Sequence, residues 1–292
     1  MCIKVLTLAI LVTTVAVAQS VPPQVQIAPR DPQGNYVVRW TDQRGVRREL
    51  LFMPGNKISP RIHVVVRGAA ASGYVYRYTI ANEKAARHKI HSCAIELAMP
   101  AQIMSTPVAW EPLQPSRIAP RAGWYRTGFV NDVPEGIAAG ASEAGFEISS
   151  SNLPGVTEFK CRGNVSSTVL PDDLPVEVER RLETLPVDEV VVIRAIGPIL
   201  EKDQASTAVL VRRIVRSYRV AIAASRLPNA AALVRALDVM TERADGPAGE
   251  LRTAVTAVSG LLTDSSDPWA RQLAAGLREC LTYLLNRLTS PR

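Results

Sequence analysis

Between Tyr36 and Cys161 the chain alternates apolar and polar residues, and from Gln204 onward the apolar spacing changes to that of a helix. The clearest alternation is Tyr74-Val75-Tyr76-Arg77-Tyr78-Thr79-Ile80-Ala81, with Tyr74, Tyr76, Tyr78 and Ile80 on one side. A period of two in aromatic and β-branched residues predicts a strand with one large apolar face. Three tyrosines on that face can wall a core while their hydroxyls reach its rim. Asn82-Glu83-Lys84 predicts a polar turn, and the apolar run Ile90 to Met99 is expected to pair with the tyrosine strand at the centre of an antiparallel sheet. Further strands are predicted at Tyr36 to Thr41, Val46 to Phe52, Arg61 to Arg67, Trp124 to Val130, Gly145 to Ser150 and Val156 to Cys161. Asp42-Gln43-Arg44-Gly45, Pro54-Gly55-Asn56 and Pro154-Gly155 carry the turn residues between them. Short strands at this spacing, with no helical period among them, predict an antiparallel β-sandwich. The proline-rich stretch 100–122 is expected to be a long crossing loop with a short edge strand.

Residues 166–203 read as a linker. Pro171, Pro175 and Pro186 bracket a short helical piece, Val176 to Leu185, and Glu189 to Arg194 is a last strand stopped by Gly197-Pro198. That strand either completes the sandwich or packs beside the helices. The first long helix, Ala205 to Arg226, puts Leu210, Ile214, Tyr218 and Ile222 on one face and Arg212, Arg213, Arg216 and Arg219 on the other. Leu233, Leu237 and Met240 mark a second helix, and Leu251, Val255, Val258 and Leu262 a third. Ser266-Asp267-Pro268, a capping residue followed by proline, opens a fourth that carries Leu273, Leu277, Leu281, Leu284 and Leu288. The expected architecture is α+β with two domains: a sandwich over 19–165 and an antiparallel four-helix bundle over 204–292.

Tyr74-x-Tyr76-x-Tyr78 ending at Asn82 resembles the central strand of immunoglobulin-like sandwich domains in uncharacterised bacterial secreted proteins. So does Gly136-Ile137-x-x-Gly140-x-Ser142-x-x-Gly145-Phe146, followed by Ser149-Ser150-x-x-Leu153-Pro154-Gly155. The resemblance covers roughly residues 60–165. It implies an immunoglobulin-like fold and an exported location, and no chemistry.

Export has its own signal. Residues 1–18 read as a secretory leader, with Lys4 at the start, Val5 to Val15 as the apolar middle and Ala16-Val17-Ala18 as the cleavage site. The mature chain is then expected to begin at Gln19 and to be secreted or periplasmic, with no transmembrane anchor after cleavage. Three cysteines remain, Cys93, Cys161 and Cys280. Cys93 and Cys161 lie in predicted strands and are candidates for a disulfide in an oxidising compartment. Cys280 lies on the apolar stripe of the last helix and reads as a buried thiol.

The formal charge of +7 includes Lys4 and no acid from the leader. Residues 19–168 hold 17 basic and 11 acidic groups, and residues 169–292 hold 16 of each. Such a surplus is either a solvated basic face or the footprint of an acidic partner, such as a polyanionic glycan or a lipid-headgroup surface. Nothing in the pattern points to nucleic acid.

Candidate chemistry is sparse. His88, His91 and Cys93 are the one cluster of ligand-type residues, and zinc needs a further ligand, so no metal or other cofactor is expected. Ser142 in Gly140-Ala141-Ser142-Glu143-Ala144-Gly145 lacks the Gly-x-Ser-x-Gly spacing of a nucleophile elbow and reads as a turn serine. Carboxylates such as Glu96, Glu111, Asp132 and Glu147 are scattered. The expected function is a non-catalytic exported binding or scaffolding module with a protein or glycan partner at the cell surface. A carbohydrate-binding module is the alternative, stacking sugars on Trp110, Trp124 and Tyr125; an extracytoplasmic hydrolase is a third. The arginine face of the first long helix is the other candidate contact.

Overall fold

The computed structural model describes residues 25–32, 34–42, 44–53, 57–69, 73–98, 101–116, 120–126, 129–130, 133–163, 170–171, 174–185, 190–202 and 205–290. The expected leader lies outside them. The fold is α+β, rich in strands in its N-terminal part and helical in its C-terminal part. The described residues divide into two compact units, those within 1–53 and 168–185 and those within 54–167 and 186–292.

The smaller unit holds strands β1 (Gln26–Ile27), β2 (Tyr36–Thr41) and β3 (Arg47–Phe52), antiparallel in that order, and helix α1 (Val176–Glu183). Tyr36, Val38 and Trp40 alternate onto one face of β2, where they meet Phe52 and the buried Val178 and Leu182 of α1. The Asp42 carboxylate accepts from the backbone N–H groups of Arg44 and Val46 and so closes the β2–β3 turn. The apolar face of these strands is therefore covered by the linker helix, which is why they form a unit of their own.

The larger unit opens with β4 (Pro60–Ala69), β5 (Gly73–Asn82), β6 (Ile90–Glu96), β7 (Ala101–Ser105), β8 (Glu111–Leu113) and β9 (Arg121–Tyr125). It continues with β10 (Phe129–Val130), β11 (Val133–Pro134), β12 (Ser142–Ser150), β13 (Leu153–Gly163) and β14 (Val191–Leu200). Helices α2 (Thr207–Ala223), α3 (Ala230–Glu242), α4 (Ala248–Leu261) and α5 (Pro268–Thr289) complete it. One sheet has the order β4-β5-β12-β7, a second β14-β13-β6-β9-β8, and β10 and β11 form a hairpin. The expected pairing of the tyrosine strand with the run after it does not occur, because β5 and β6 belong to different sheets. Buried Asn82, at the end of β5, makes the crossing. Its Nδ2 donates to His88 O at 2.7 Å and Ile137 O at 3.0 Å, and its Oδ1 accepts from Ser59 N at 3.0 Å.

Aromatic side chains join the two sheets. Tyr78 of β5 lies 6.3 Å from Trp124 of β9 and 5.7 Å from Phe159 of β13, ring centre to ring centre. Phe146 of β12 lies 5.3 Å from Trp124. The tyrosine hydroxyls end inside the core and not at its rim: Tyr76 donates to Asn152 O and Tyr78 to Ile196 O. Burial without ionisation follows, and it raises both phenols well above their ordinary range.

Pro154-Gly155 and Gly197-Pro198, expected as a turn and a stop, are facing rungs of the β13–β14 ladder. Pro198 sits on the outermost strand, where a missing N–H leaves no further strand unpaired. A register shift between Leu153 and Pro154 absorbs the irregularity. The predicted last strand thus becomes the edge of the five-stranded sheet. Ladder pairing of β13 with β6 covers Phe159 to Gly163, so the start of β13 turns its other edge to the helices. There Tyr218 Oη and Cys280 Sγ both donate to Pro154 O, at 3.0 and 3.1 Å.

Helices and sheets share one core. Leu210, Ile214, Tyr218, Leu277 and Leu281 belong to the same buried cluster as Tyr76, Ile196 and Phe159. The buried side chain of Gln272 on α5 reaches edge strand β4, where Oε1 accepts from Val64 N at 2.9 Å and Nε2 donates to Ile62 O at 3.4 Å. A helix thereby blunts an edge that would otherwise present unpaired backbone groups. Asp267 caps α5 as its sequence predicts, accepting from Ala270 N at 2.8 Å.

Candidate anion-binding seam

Helix α2 starts at Ser206, whose hydroxyl accepts from Val209 N, and buries Leu210, Ile214, Tyr218 and Ile222 as its pattern predicts. Its four arginines all face outward. They do not share one role. Arg219 pairs with Asp238 of α3 at 2.7 Å, and Arg212 pairs with Asp245. The Arg219 hydrogen bond holds the Asp238 carboxyl below its ordinary range. Arg213 stands 3.7 Å from Glu201, and Arg216 has no ion pair or hydrogen bond among the described residues.

Arg213, Arg216 and Ser217 line a cavity of about 400 Å³ with Val156, Ile199, Leu200 and Glu201, the carboxylate that faces Arg213. Ser217 is engaged at its oxygen, which accepts from Val156 N at 2.8 Å. A second cavity, of about 520 Å³, lies where the start of β14 meets the end of α2, β4 and the first turn of α5. Ile62 and Ile193 give it apolar lining, half-buried Trp269 an indole wall, and Arg61, Arg194 and Arg226 its charge. Arg61 is paired with Glu83. Arg194 and Arg226 have no ion pair among the described residues. The carboxylate in this cavity, Asp267, is occupied with capping α5.

Both cavities lie between β14 and α2. The end of β14 meets the middle of α2, and the start of β14 meets the end of α2, so the helix runs back beside the strand. From Arg213 to Ala223 the helix rises about 15 Å at ~1.5 Å per residue. The result is a partly apolar seam with three guanidiniums, Arg194, Arg216 and Arg226, that have no ion pair among the described residues. Guanidinium is a planar five-donor fork that stays charged at any working pH and matches carboxylate or phosphate oxygens two at a time.

Of the residues singled out in the sequence, only Arg213 and Arg216 contribute to this seam. Arg61, Arg194, Arg226 and Trp269 come from four separate segments, and no local pattern connects them. The aromatic platform does not exist as expected. Trp110 is 5% exposed and Trp124 is 1% exposed, while Tyr125 reaches the surface at 37%. Trp124 fills the space between the two sheets. Trp110 packs edge-on against Phe146, donates Nε1–H to Glu143 and lies under the Arg126 guanidinium, which also holds Glu135. The Tyr125 hydroxyl donates to Glu111 at 2.8 Å, which raises its pKa.

The expected disulfide is not formed: Cys93, Cys161 and Cys280 are free buried thiols. Cys93 faces Cys161 across the β6–β13 ladder, and burial pushes both thiols up. Ser142 is the first residue of β12 and not a turn residue. His88 is buried and its Nδ1 accepts from Lys57 N, while His63 lies exposed on β4. Among the described residues no three His, Cys, Asp or Glu side chains converge as metal ligands would. Among the same residues no helix is long and apolar enough to cross a membrane.

No protein-family model matches the chain, and no curated protein does. Among solved structures the chain is similar to an uncharacterised protein from Nocardia farcinica described as having an immunoglobulin-like fold. The two are 11% identical, the match covers 45% of this chain and 95% of that one, and the TM-score is 0.29.

Proposed function

We propose that this is an exported, non-catalytic binding module. Its two large sheets form an immunoglobulin-like sandwich, α2 to α5 form a bundle laid against it, and the α2–β14 seam takes an anionic partner. One observation carries the reading: exposed Arg194, Arg216 and Arg226 border open, partly apolar cavities and have no ion pair among the described residues, while the carboxylates there, Glu201 and Asp267, face Arg213 and cap α5. Elsewhere on the same helix, Arg212 and Arg219 are neutralised by acids of the neighbouring segment. An exposed guanidinium without an acid of its own is free to take two oxygens of an incoming anion in its planar fork.

Export rests on the leader in residues 1–18. Sequencing the N-terminus of the protein recovered from outside the cytoplasm should give Gln19; retention of the intact leader in the cytoplasm would remove the exported reading. Binding is tested with the full chain on a sulfated-dextran column. Arg194→Gln, Arg216→Gln and Arg226→Gln together should elute at clearly lower salt than a control with Arg235→Gln, Arg252→Gln and Arg278→Gln. The control carries the same charge change on exposed positions away from the seam. Equal elution of the two variants would show that the seam has no special affinity for anions.

A further inference from the structure

We infer that the partner of the seam is a linear acidic polysaccharide of the uronate type, with a carboxylate on successive rings. This deepens the anion-binding reading above and rests on it. Three features of the seam select the class.

The first is spacing. The charge is not concentrated at one point but divided between two cavities, Arg216 in one, beside Arg213 and its partner Glu201, and Arg194 and Arg226 in the other. With roughly 15 Å of helix between Arg213 and the second cavity, a single small anion reaches one of them only. A chain that repeats its negative charge reaches both, and the two contacts then reinforce each other as linked binding events do.

The second is shape. A bilayer is met by a flat or convex face whose basic and apolar side chains project into the headgroups. Here the exposed guanidiniums border two open depressions of about 400 and 520 Å³ between β14 and α2, which suit a chain laid along them.

The third is the lining. Ile199 and Val156 in one cavity, and Ile62, Ile193 and the Trp269 indole in the other, offer apolar surface beside the charge. Exposed Val192 on β14 and Val220 on α2 add apolar surface on these two elements. A uronate ring matches this pairing, because one edge carries the carboxylate and the ring faces carry C–H groups that pack on aromatic and aliphatic side chains. Single-stranded nucleic acid fits less well: it is held by successive aromatic stacking platforms, and the second cavity supplies one indole.

The experiment is isothermal calorimetry of the full chain with oligogalacturonate at physiological ionic strength. A neutral malto-oligosaccharide of equal length serves as the comparison, and flotation with phosphatidylglycerol vesicles runs in parallel. Oligogalacturonate should bind and the neutral oligomer should not. Binding should weaken as salt rises, and the variant lacking Arg194, Arg216 and Arg226 should lose affinity by roughly tenfold or more. The Arg235, Arg252 and Arg278 control should bind about as the parent does. Silence with oligogalacturonate together with seam-dependent vesicle binding would overturn the polysaccharide class and leave the anion reading standing. Oligogalacturonate binding that survives the seam substitutions would overturn the assignment of the site. Silence of both probes, with equal elution of the two variants from sulfated dextran, would remove both readings at once.

Discussion

At the scale of single residues, one tight constraint is where α2 and α5 cross over β13. A Cβ built on Gly276 would stand 2.6 Å from Tyr218 Oη and 3.2 Å from Ile196 Cγ2. Tyr218 cannot withdraw freely, since its hydroxyl is tied to Pro154 O. Gly276→Ala should therefore destabilise the larger unit by about 1–3 kcal/mol, read from urea denaturation. Adding Tyr218→Phe should cost less in that background than alone, because it removes the clashing atom along with the hydrogen bond. Strict additivity would show that the two groups do not press on each other. His91, half-buried on β6, has its pKa lowered chiefly by burial, with Arg162 adding to the effect. The folded state therefore binds the proton less readily than the unfolded chain does. Its contribution is complete above the ordinary histidine value and is lost as pH falls below it. Thermal midpoints should drop between about pH 7.5 and 5.5, and His91→Asn should flatten that slope.

At the scale of elements, the decisive contact is the one between α5 and the edge strand β4. Gln272→Leu keeps the bulk of the side chain but leaves Val64 N–H buried without its acceptor. A buried unsatisfied donor costs about 1–3 kcal/mol. Hydrogen exchange at the Val64 amide should accelerate well beyond that of its neighbours; unchanged protection would mean that another group covers the edge. The alternation of β5 and the amphipathic pattern of α2 made both elements legible in the sequence, because each buries one face against whatever partner it finds. Which strand pairs with β5 was not legible. Alternation states that a face is buried and leaves open which sheet the next strand joins, a choice made by Asn82 and its three backbone partners.

At the scale of the whole molecule, the shared core means that the sheets and helices of the larger unit should not unfold as two domains. With Trp40 and Trp269 replaced by phenylalanine, tryptophan fluorescence reports Trp110 and Trp124 in the core of the sheets, and far-ultraviolet circular dichroism reports the helices. In thermal unfolding the two transitions should coincide. Helices melting at a separate temperature would indicate a bundle with its own core. A chain ending at Leu200 should likewise fail to give a folded product, since Ile196, Leu200 and Pro154 would lose the helical cover they pack against. The seam belongs to this scale as well. Arg213 and Arg216 were visible on one helix face, but Arg61, Arg194, Arg226 and Trp269 are scattered through the chain and acquire a common environment only when β4, β14, α2 and α5 come together.

By itself the sequence determined what depends on neighbours along the chain. That comprises the strand and helix periods, the Asp267 cap, the inward face of α2 and the change from strands to helices. These follow from local geometry, because residues two apart in a strand or three and four apart in a helix share a face wherever the element goes. Tertiary structure decided what depends on distant segments meeting. It put β5 and β6 in different sheets, joined the helices to the sheets in one core and gave β2 and β3 a helix from the linker. It also buried Trp110 and Trp124, and left three arginines of one seam without an ion pair among the described residues. Burial and charge pairing are properties of the assembled surface, and spacing along the chain does not encode them.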